Sequence, residues 1–208
     1  MLAGVNGAGK SSVAGAMLAA DGLVWFNPDT YARRLRAESN VSHEEANSLA
    51  WQYGRDALEA SIAGGTNYAF ETTLGGNTIC SLLEKAAGTH DVIVIFCGLA
   101  SPEHHIRRVT ARVARGGHNI PESKIRERWT TSRANLIKML PRLAHLQVFD
   151  NSAEARHDDD ILDPILKLEM TKGRVIFPDL RDPAALAATP DWTKPIVQAA
   201  FDLSARSK

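Results

Sequence analysis

Three features are scarce or absent in this sequence: cysteine, long apolar runs and an excess of either charge. The 208 residues include two cysteines, Cys80 and Cys97, which are too few for a disulfide framework. No apolar run approaches the length of a membrane-spanning helix, and no signal-peptide pattern precedes the fold. Lysine plus arginine and aspartate plus glutamate number 24 each, so the formal net charge is zero. We therefore predict a cytoplasmic protein that neither enters a membrane nor coats nucleic acid.

The sequence does contain a regular alternation of apolar runs and helical patterns. The strongest run, residues 91–99 (DVIVIFCGL), is apolar on both faces, which suits the centre of a parallel sheet. Because strands and helices alternate, we predict an α/β fold with a doubly wound, mainly parallel five-stranded sheet and helices on both faces. The other four strands are predicted over residues 1–4, 23–26, 67–71 and 145–152.

Two predicted helices carry capping signals. Ser42, with Glu45 three positions on, forms a capping box for a long helix that ends at Gly64 and Gly65. Ser101, followed directly by proline, opens a second helix with serine as its cap.

The pattern changes after Asn151. Residues 165–177 (ILKLEMTKGRVIF) predict a hairpin that turns at Lys172 and Gly173, and the proline-rich tail ends in a short helix. We therefore divide the chain into a core over residues 1–152 and a C-terminal extension over residues 153–208 that packs on the core.

Residues 4–12 (GVNGAGKSS) fit the phosphate-binding pattern G-x-x-x-x-G-K-[ST]. The glycines let successive N–H groups curl towards phosphate oxygens, and the following helix adds its positive dipole end. Lys10 would reach the β- and γ-phosphates, and the Ser11 hydroxyl would hold Mg²⁺. A glycine-rich turn with a chance lysine is the alternative, but the predicted strand and helix on either side favour a site for ATP or GTP. The predicted nucleotide-binding residues are Gly4, Asn6, Gly7, Ala8, Gly9, Lys10, Ser11 and Ser12.

The strand in front of this loop is short. Three residues, Met1 to Ala3, precede Gly4, whereas a strand usually has about five residues. We therefore expect that the natural sequence begins further upstream or that its start is misassigned, and that the sheet is weaker beside the loop.

Three classes of nucleotide-binding protein compete for this loop. A GTPase switch needs an N-K-x-D run after a strand, and the sequence has no such run. An ABC-type ATPase needs an LSGGQ-like signature and an acidic pair at the end of a strand; the signature is absent, and the strongest predicted strand ends without an acidic residue. A small-molecule kinase needs an acid after its second strand, a substrate pocket after its third and an arginine-bearing lid. All three features occur in that order.

Asp29 follows the second predicted strand, at the edge of the sheet where ligands of open α/β folds bind. A carboxylate there could accept the proton of an attacking hydroxyl. Alternatively, Asp29 caps the helix of residues 30–35 (TYARRL). The residues by themselves leave both interpretations open, and the two are compatible.

Arginines crowd the predicted lid, residues 112–133, around the flexible run 116–121 (GGHNIP). Guanidinium groups there could meet the charge that phosphoryl transfer spreads over the equatorial oxygens. Several arginines must instead form a solvated helix face. An RNA-binding patch is the third interpretation, but the segment lacks interleaved aromatic residues apart from Trp129.

Taken together, several segments resemble the zeta-toxin family of P-loop kinases, in particular its chromosomal branch labelled predicted ABC-type ATPases. They are LAGVNGAGKSS, NPDTYAR, FETTLGG, RVTARVARGGHNIP and FDNS, and the resemblance covers residues 1–152. It implies a P-loop NTPase-type fold in which Asp29 is the catalytic base and Glu71, Thr72 and Thr73 line the acceptor pocket. Without the resemblance, Glu71 could equally bond the backbone at a strand end or bind Mg²⁺ through water.

The resemblance is weaker in the lid. Arg112 matches the first lid arginine of the toxins and Arg128 stays in register, but the second lid arginine falls near His118, whose charge depends on pH. Thr131 precedes Ser132 where the branch usually has an arginine. The catalytic residues that the motifs and the resemblance imply are Lys10, Asp29, Arg112, His118 and Arg128.

Characterised zeta toxins phosphorylate a hydroxyl of the sugar in UDP-N-acetylglucosamine and are held inactive by an epsilon antitoxin. The resemblance therefore implies a kinase that uses ATP and Mg²⁺ and acts on a small hydroxyl-bearing metabolite such as a nucleotide sugar, with an antitoxin protein as a candidate partner. The competing hypothesis is a nucleotide-binding regulatory module without transferase activity.

Overall fold

A computed structural model describes residues 1–10, 25–153 and 163–206 of the chain. Within these ranges the strands form one six-stranded sheet with the order β2-β1-β3-β4-β5-β6. The strands are Leu2–Ala3 (β1), Glu71–Thr72 (β2), Ile93–Gly98 (β3), His145–Asp150 (β4), Ile165–Thr171 (β5) and Arg174–Phe177 (β6).

Helices flank this sheet. In the ranges just given, none of them combines the length and the apolar character needed to cross a membrane. The helices are Pro28–Glu38 (α1), His43–Gly64 (α2), Asn77–Ala86 (α3), Pro102–Ala114 (α4), Glu122–Met139 (α5), Pro183–Ala187 (α6) and Lys194–Arg206 (α7), with a 3-10 turn at Leu140–Arg142.

The part of the sheet that carries the loop is parallel. β1 lies between β2 and β3 and pairs in parallel with both, and β3 pairs in parallel with β4 along its whole length. Phe26 adds a single parallel bridge to Phe70 at the far edge. The mainly parallel sheet is thus confirmed, although the strand predicted over residues 67–71 forms only as this bridge and the two residues of β2.

The predicted hairpin forms and joins the sheet. β5 pairs antiparallel with β4, and β6 pairs antiparallel with β5. Lys172 and Gly173 make the turn with φ values of 46° and 76°, the positive values that a tight two-residue hairpin turn requires. The sheet therefore has six strands where five were predicted, because the local pattern of a hairpin does not reveal which strand it will pair with.

The main core lies against the central strands. Val94, Phe96, Leu146 and Val148, from β3 and β4, are almost completely buried. These strands bury nonpolar side chains because helices cover them, as their near-continuous apolar sequence indicated. The helix residues buried in the same cluster include Leu82 and Leu83 of α3, Leu136 and Met139 of α5, and Ile196 and Ala200 of α7.

The capping predictions for α2 and α4 are confirmed. The Ser42 side chain accepts a hydrogen bond from the Glu45 amide at 3.1 Å, and α2 ends at Gly65 in the left-handed conformation. The Ser101 side chain accepts from the His104 amide and caps α4. Both ends of α2 therefore follow from local sequence alone.

The cap of α1 differs from the one considered for Asp29. The helix begins at Pro28, and the Asn27 side chain accepts a hydrogen bond from the Thr30 amide. Asp29 lies within the first turn of the helix. The interpretation of Asp29 as the helix cap is therefore wrong, because the helix starts earlier than the run TYARRL.

Candidate active site

The loop that follows β1 curls tightly. Gly4, Gly7 and Gly9 all have positive φ, at 140°, 83° and 82°. A Cβ atom on Gly4 would lie 2.1 Å from the Cys97 carbonyl oxygen. One on Gly9 would lie 2.4 Å from the side-chain nitrogen of Asn151. Glycine is required at these positions because the loop packs directly on β3 and on the residue after β4.

Three side chains from three elements hold the loop in place. Asn151 Nδ2, just after β4, donates to the Ala8 carbonyl oxygen at 2.9 Å. His105 Nδ1 of α4 donates to the Asn6 carbonyl oxygen at 2.9 Å. Arg128 Nη1 of α5 donates to Asn6 Oδ1 at 2.7 Å. The loop is therefore held from both sides before any ligand arrives.

His105 is the least expected of these residues. Burial lowers its pKa from 6.5 to about 4, with the charges of Lys10 and Arg108 adding to the effect. The ring is therefore neutral at pH 7, and its bond to Asn6 requires the proton on Nδ1. Nε2 is buried and has no hydrogen-bond partner among the described residues. The adjacent histidines His104 and His105 within an amphipathic helix gave no sequence signal for this role.

Lys10 points towards the predicted acceptor side. Its Nζ lies 3.4 Å from Glu71 Oε1 and donates to the Val5 carbonyl oxygen, and the side chain is 7% exposed. Asn27 Nδ2 donates to the other carboxylate oxygen of Glu71 at 2.7 Å. The loop lysine and the strand-end carboxylate are thus brought together. Ser11 and Ser12, predicted to bind Mg²⁺ and phosphate, lie outside the described residues.

Asp29 faces both the lid and an open cavity. Its Oδ2 lies 3.7 Å from Arg112 Nη1, and the side chain is 41% exposed. The cavity has a volume of about 560 Å³. Among the predicted site residues, those that line it are Asn6, Asp29, Glu71, Thr72, Thr73, His118 and Arg128. Residues predicted from four separate segments therefore meet around one space.

The lid turn lies over Asp29. Arg112 Nη2 donates to the His118 carbonyl oxygen at 3.4 Å, and the His118 ring is 5.2 Å from that of His43. Burial lowers the pKa of His118, and this effect outweighs the opposite effect of the nearby Asp29 carboxylate. At pH 7 the ring is therefore mainly neutral, so Arg112 supplies the positive charge at this point.

A second cavity, of about 1160 Å³, also borders Asp29 and His118. Asp29 is the one acidic residue among its described lining residues, whereas six are arginines. The whole chain has no net charge, so this cavity concentrates positive charge that attracts anions. The six arginines are Arg33, Arg34, Arg36, Arg108, Arg112 and Arg115.

Residues 1–136 match a family model described as the AAA domain. The chain belongs to this family. The matched range holds the loop, Asp29, Glu71, Arg112 and Arg128. No curated protein sequence matches the chain.

Solved structures with a similar fold include chains of two protein complexes. A chain of the AvrRxo1-ORF1:AvrRxo1-ORF2 complex, solved with sulphate ions and again with ATP, is 16% identical to this chain, with a TM-score of 0.59. In both structures the match covers 98% of this chain; it covers 78% of the other chain in the first structure and 79% in the second. A chain of the PezAT chromosomal toxin–antitoxin system of Streptococcus pneumoniae is 13% identical, with a TM-score of 0.50, covering 97% of this chain and 84% of that one. Together with the family match, these shared folds agree with the P-loop NTPase-type fold that the resemblance implied.

In this AAA domain, two residues of α5 that were given no role from the sequence shape the acceptor side. Ser132 of α5 donates to the Thr73 carbonyl oxygen, and Asn135 Nδ2 donates to the Leu74 carbonyl oxygen at 2.9 Å. Leu74 is buried and has a φ of 55°, which is unusual for leucine. The three-residue spacing of Ser132 and Asn135, which places both on one helix face, is the signal that could have identified them.

The position where the family usually has an arginine is occupied by Thr131, on α5. Thr131 Oγ1 donates to the Glu127 carbonyl oxygen within its own helix. Arg133 lies over the Trp129 ring, 3.4 Å from its centre, and donates to the Trp192 carbonyl oxygen. Arg133 therefore does not replace the arginine that the family usually has at position 131. The residue of α5 that donates a hydrogen bond to Asn6 of the loop is Arg128.

Proposed function

We propose that the protein is a kinase that uses ATP and Mg²⁺ to phosphorylate a hydroxyl group of a small metabolite. One observation carries this proposal: Asn6 of the loop, Asp29 and Glu71 line the same cavity of about 560 Å³. A triphosphate held by the loop and an acceptor hydroxyl beside Asp29 would therefore meet in one space.

Each carboxylate would have its own role in the transfer. Asp29 would accept the proton of the acceptor hydroxyl while the hydroxyl oxygen forms a bond to the γ-phosphorus and the bond to the β–γ bridging oxygen breaks, releasing ADP. Glu71, Thr72 and Thr73 would hold the acceptor. Their place at the carboxyl end of β2 supports this role, since ligands of open α/β sheets bind at that edge.

Positive charge around Asp29 supports a polyphosphate donor. Lys10, Arg112 and Arg128 would face the transferred phosphoryl group and stabilise its developing charge. The arginine-lined cavity on the other side of Asp29 would attract the triphosphate electrostatically. His118 would contribute as a hydrogen-bonding group rather than as a cation near pH 7, because burial lowers its pKa.

We propose Mg²⁺ as the metal ion, with Ser11 as its protein ligand and with phosphate oxygens and water as its other ligands, as is usual in phosphoryl-transfer sites. When bound, the ion would neutralise charge on the β- and γ-phosphate oxygens.

We propose a nucleotide sugar as the acceptor, following the resemblance to zeta toxins. The cavity volume lies within the range of about 300–1,000 Å³ that is typical of small-molecule sites. A protein that covers this cavity, as an antitoxin would, is the corresponding proposal for a partner. The folds shared with chains of the PezAT and AvrRxo1-ORF1:AvrRxo1-ORF2 complexes support it.

The test is transfer of label from ATP. Purified protein is incubated with γ-labelled ATP, Mg²⁺ and a panel of UDP-N-acetyl sugars, other nucleotide sugars and nucleosides, and products are separated by chromatography. Labelled product supports the kinase. ATP binding without product from any member of the panel supports the regulatory module instead. Lys10→Ala is the control, and we expect it to lose both product and most ATP affinity.

A further inference from the structure

Asn27 lies between the two carboxylates that the proposed function uses. Its Nδ2 donates to Glu71 Oε2 at 2.7 Å, and its Oδ1 accepts from the Thr30 amide at 3.0 Å. Both ends of one side-chain amide are therefore engaged. One end holds the acceptor-site carboxylate, and the other holds the first turn of α1, which carries Asp29.

The backbone places Asn27 next to Glu71. The Phe26 amide donates to the Ala69 carbonyl oxygen, and the Glu71 amide donates to the Phe26 carbonyl oxygen, each at 2.8 Å. These two bonds set the register between the segments immediately before Asn27 and Glu71. The contact between the two side chains is thus fixed by strand pairing and does not depend on a mobile surface loop.

The choice of asparagine points to a role beyond capping. Serine, threonine and aspartate cap helices about as well as asparagine does, because a cap needs only an oxygen acceptor. The donor end of the amide is what asparagine adds, and this end meets Glu71. Aspartate at position 27 would instead place a second carboxylate against Glu71.

We propose that Asn27 is a positioning residue that fixes the Glu71 carboxylate between Lys10 and the acceptor cavity and sets its position relative to Asp29. This inference rests on the proposed function for its effect on catalysis. The terminal torsion of glutamate is soft, so Oε2 needs a fixed donor if Oε1 is to keep facing Lys10. Small displacements of groups around a reacting centre can lower rates by about two orders of magnitude.

The experiment is a double-mutant cycle with Asn27→Ser, Glu71→Gln and the two combined. Serine keeps the cap acceptor and removes the donor to Glu71. ATP affinity is measured by calorimetry, which needs no acceptor. We expect Asn27→Ser and Glu71→Gln each to tighten ATP binding roughly threefold. In each variant the side chain at position 71 holds the Lys10 ammonium group less firmly, so moving Lys10 to the ATP phosphates costs less free energy. The double variant should match Glu71→Gln alone, because the two residues act through one contact.

Turnover provides the second readout, with the acceptor that the labelled-ATP panel identifies. Asn27→Ser should lower kcat at least about tenfold, while the KM for ATP falls by no more than the roughly threefold change in ATP affinity. Ser42→Ala is the matched control, because it removes an equivalent N-cap bond from α2 without touching Glu71. This control should lower Tm but leave ATP affinity and kcat unchanged.

The results separate this inference from the proposed function. Wild-type ATP affinity in Asn27→Ser, or effects of Asn27→Ser and Glu71→Gln that simply add, would overturn the positioning role. If the wild-type protein phosphorylates no acceptor, the proposed function fails. The calorimetric cycle still decides in that case whether Asn27 controls Glu71.

Discussion

Among single residues, Asp29 carries the most specific chemical prediction. Asn27 caps α1, so the Asp29 carboxylate faces Arg112 and the cavity instead of the helix amides. We expect Asp29→Asn, which keeps the shape but removes the proton acceptor, to lower kcat by about 10²- to 10⁴-fold. ATP affinity should stay within about twofold, because the loop contacts that would bind ATP differ from the contact of Asp29 with the acceptor hydroxyl in the chemical step. Single-turnover assays with labelled ATP, paired with calorimetry, measure both quantities, and full turnover by this variant would rule out Asp29 as the base.

His105 makes stability depend on pH. Its pKa is about 4 in the folded protein, against 6.5 for an unperturbed histidine, so the unfolded chain binds a proton on this ring at a pH where the folded chain does not. The contribution of His105 to the free energy of unfolding is complete above pH 6.5. It falls as the pH drops towards 4, by up to about 3 kcal/mol. Urea unfolding at a series of pH values measures this slope.

A pair of variants assigns the slope to its residue. His105→Asn keeps a donor for the Asn6 carbonyl oxygen but does not titrate, so it should flatten the fall in stability between pH 6.5 and 4. His104→Gln removes the neighbouring ring on the same helix, which is the smallest of the causes that lower the pKa of His105, and should change the slope little. An unchanged slope in His105→Asn would show that the acid sensitivity comes from other groups.

At the level of elements, α5 supports the acceptor side through one helix face. Asn135→Ala would leave the buried Leu74 carbonyl oxygen without its donor. We expect a loss of about 1–3 kcal/mol in the free energy of unfolding, which is the usual cost of a buried unpaired polar group. The measurement is the urea midpoint at constant m-value. Arg126→Ala, which removes an exposed ion pair from the same helix, should cost under about 1 kcal/mol, and an equal loss in both variants would argue against the Leu74 contact.

At the level of the whole molecule, Trp192 joins the C-terminal segment to the sheet. The side chain is 3% exposed, its Nε1 donates to Asp150 Oδ1 at 3.1 Å, and a Cβ on Gly98 would lie 2.4 Å from its ring. This contact supports the proposal that residues after 152 pack on the core as an extension. Trp192 therefore completes the interior beside the strand end that precedes Asn151, the residue that holds the loop.

Truncation of this side chain tests the connection. Trp192→Ala should lower the free energy of unfolding by about 3–5 kcal/mol, because the change leaves a cavity against β3. Trp51→Ala is the control, since Trp51 is 46% exposed and lies on the surface of α2. Its loss should be much smaller in the same denaturant titration. Equal effects of the two substitutions would show that the C-terminal segment contributes little to the stability of the core.

Local signals predicted the features that depend on neighbouring residues. The Ser42 cap, the serine–proline start of α4 and the turn at Lys172 and Gly173 all form where the sequence placed them. Each depends on backbone geometry over a few positions, so a single sequence is sufficient. The start of α1 differs from the expected one, because Asn27 caps the helix and Pro28 begins it.

Long-range features were predicted less well. The pairing of the hairpin with β4, the support of Leu74 by Asn135 and the burial of His105 beside Asn6 join residues far apart in the chain. No local pattern records such contacts, because they arise from how complete elements pack. Residue types alone could not show that Glu71 would meet both Lys10 and Asn27.

The amino-acid sequence was enough to specify the phosphate-binding loop, the alternation of strands and helices, and the family, because these depend on backbone preferences and on residue types at set spacings. Tertiary packing decided the shape of the cavity, the neutral state of His105 and the arrangement of Lys10, Glu71 and Asn27. The physical reason is that distances, burial and charge pairing between distant segments exist only once the sheet has brought the strand ends together.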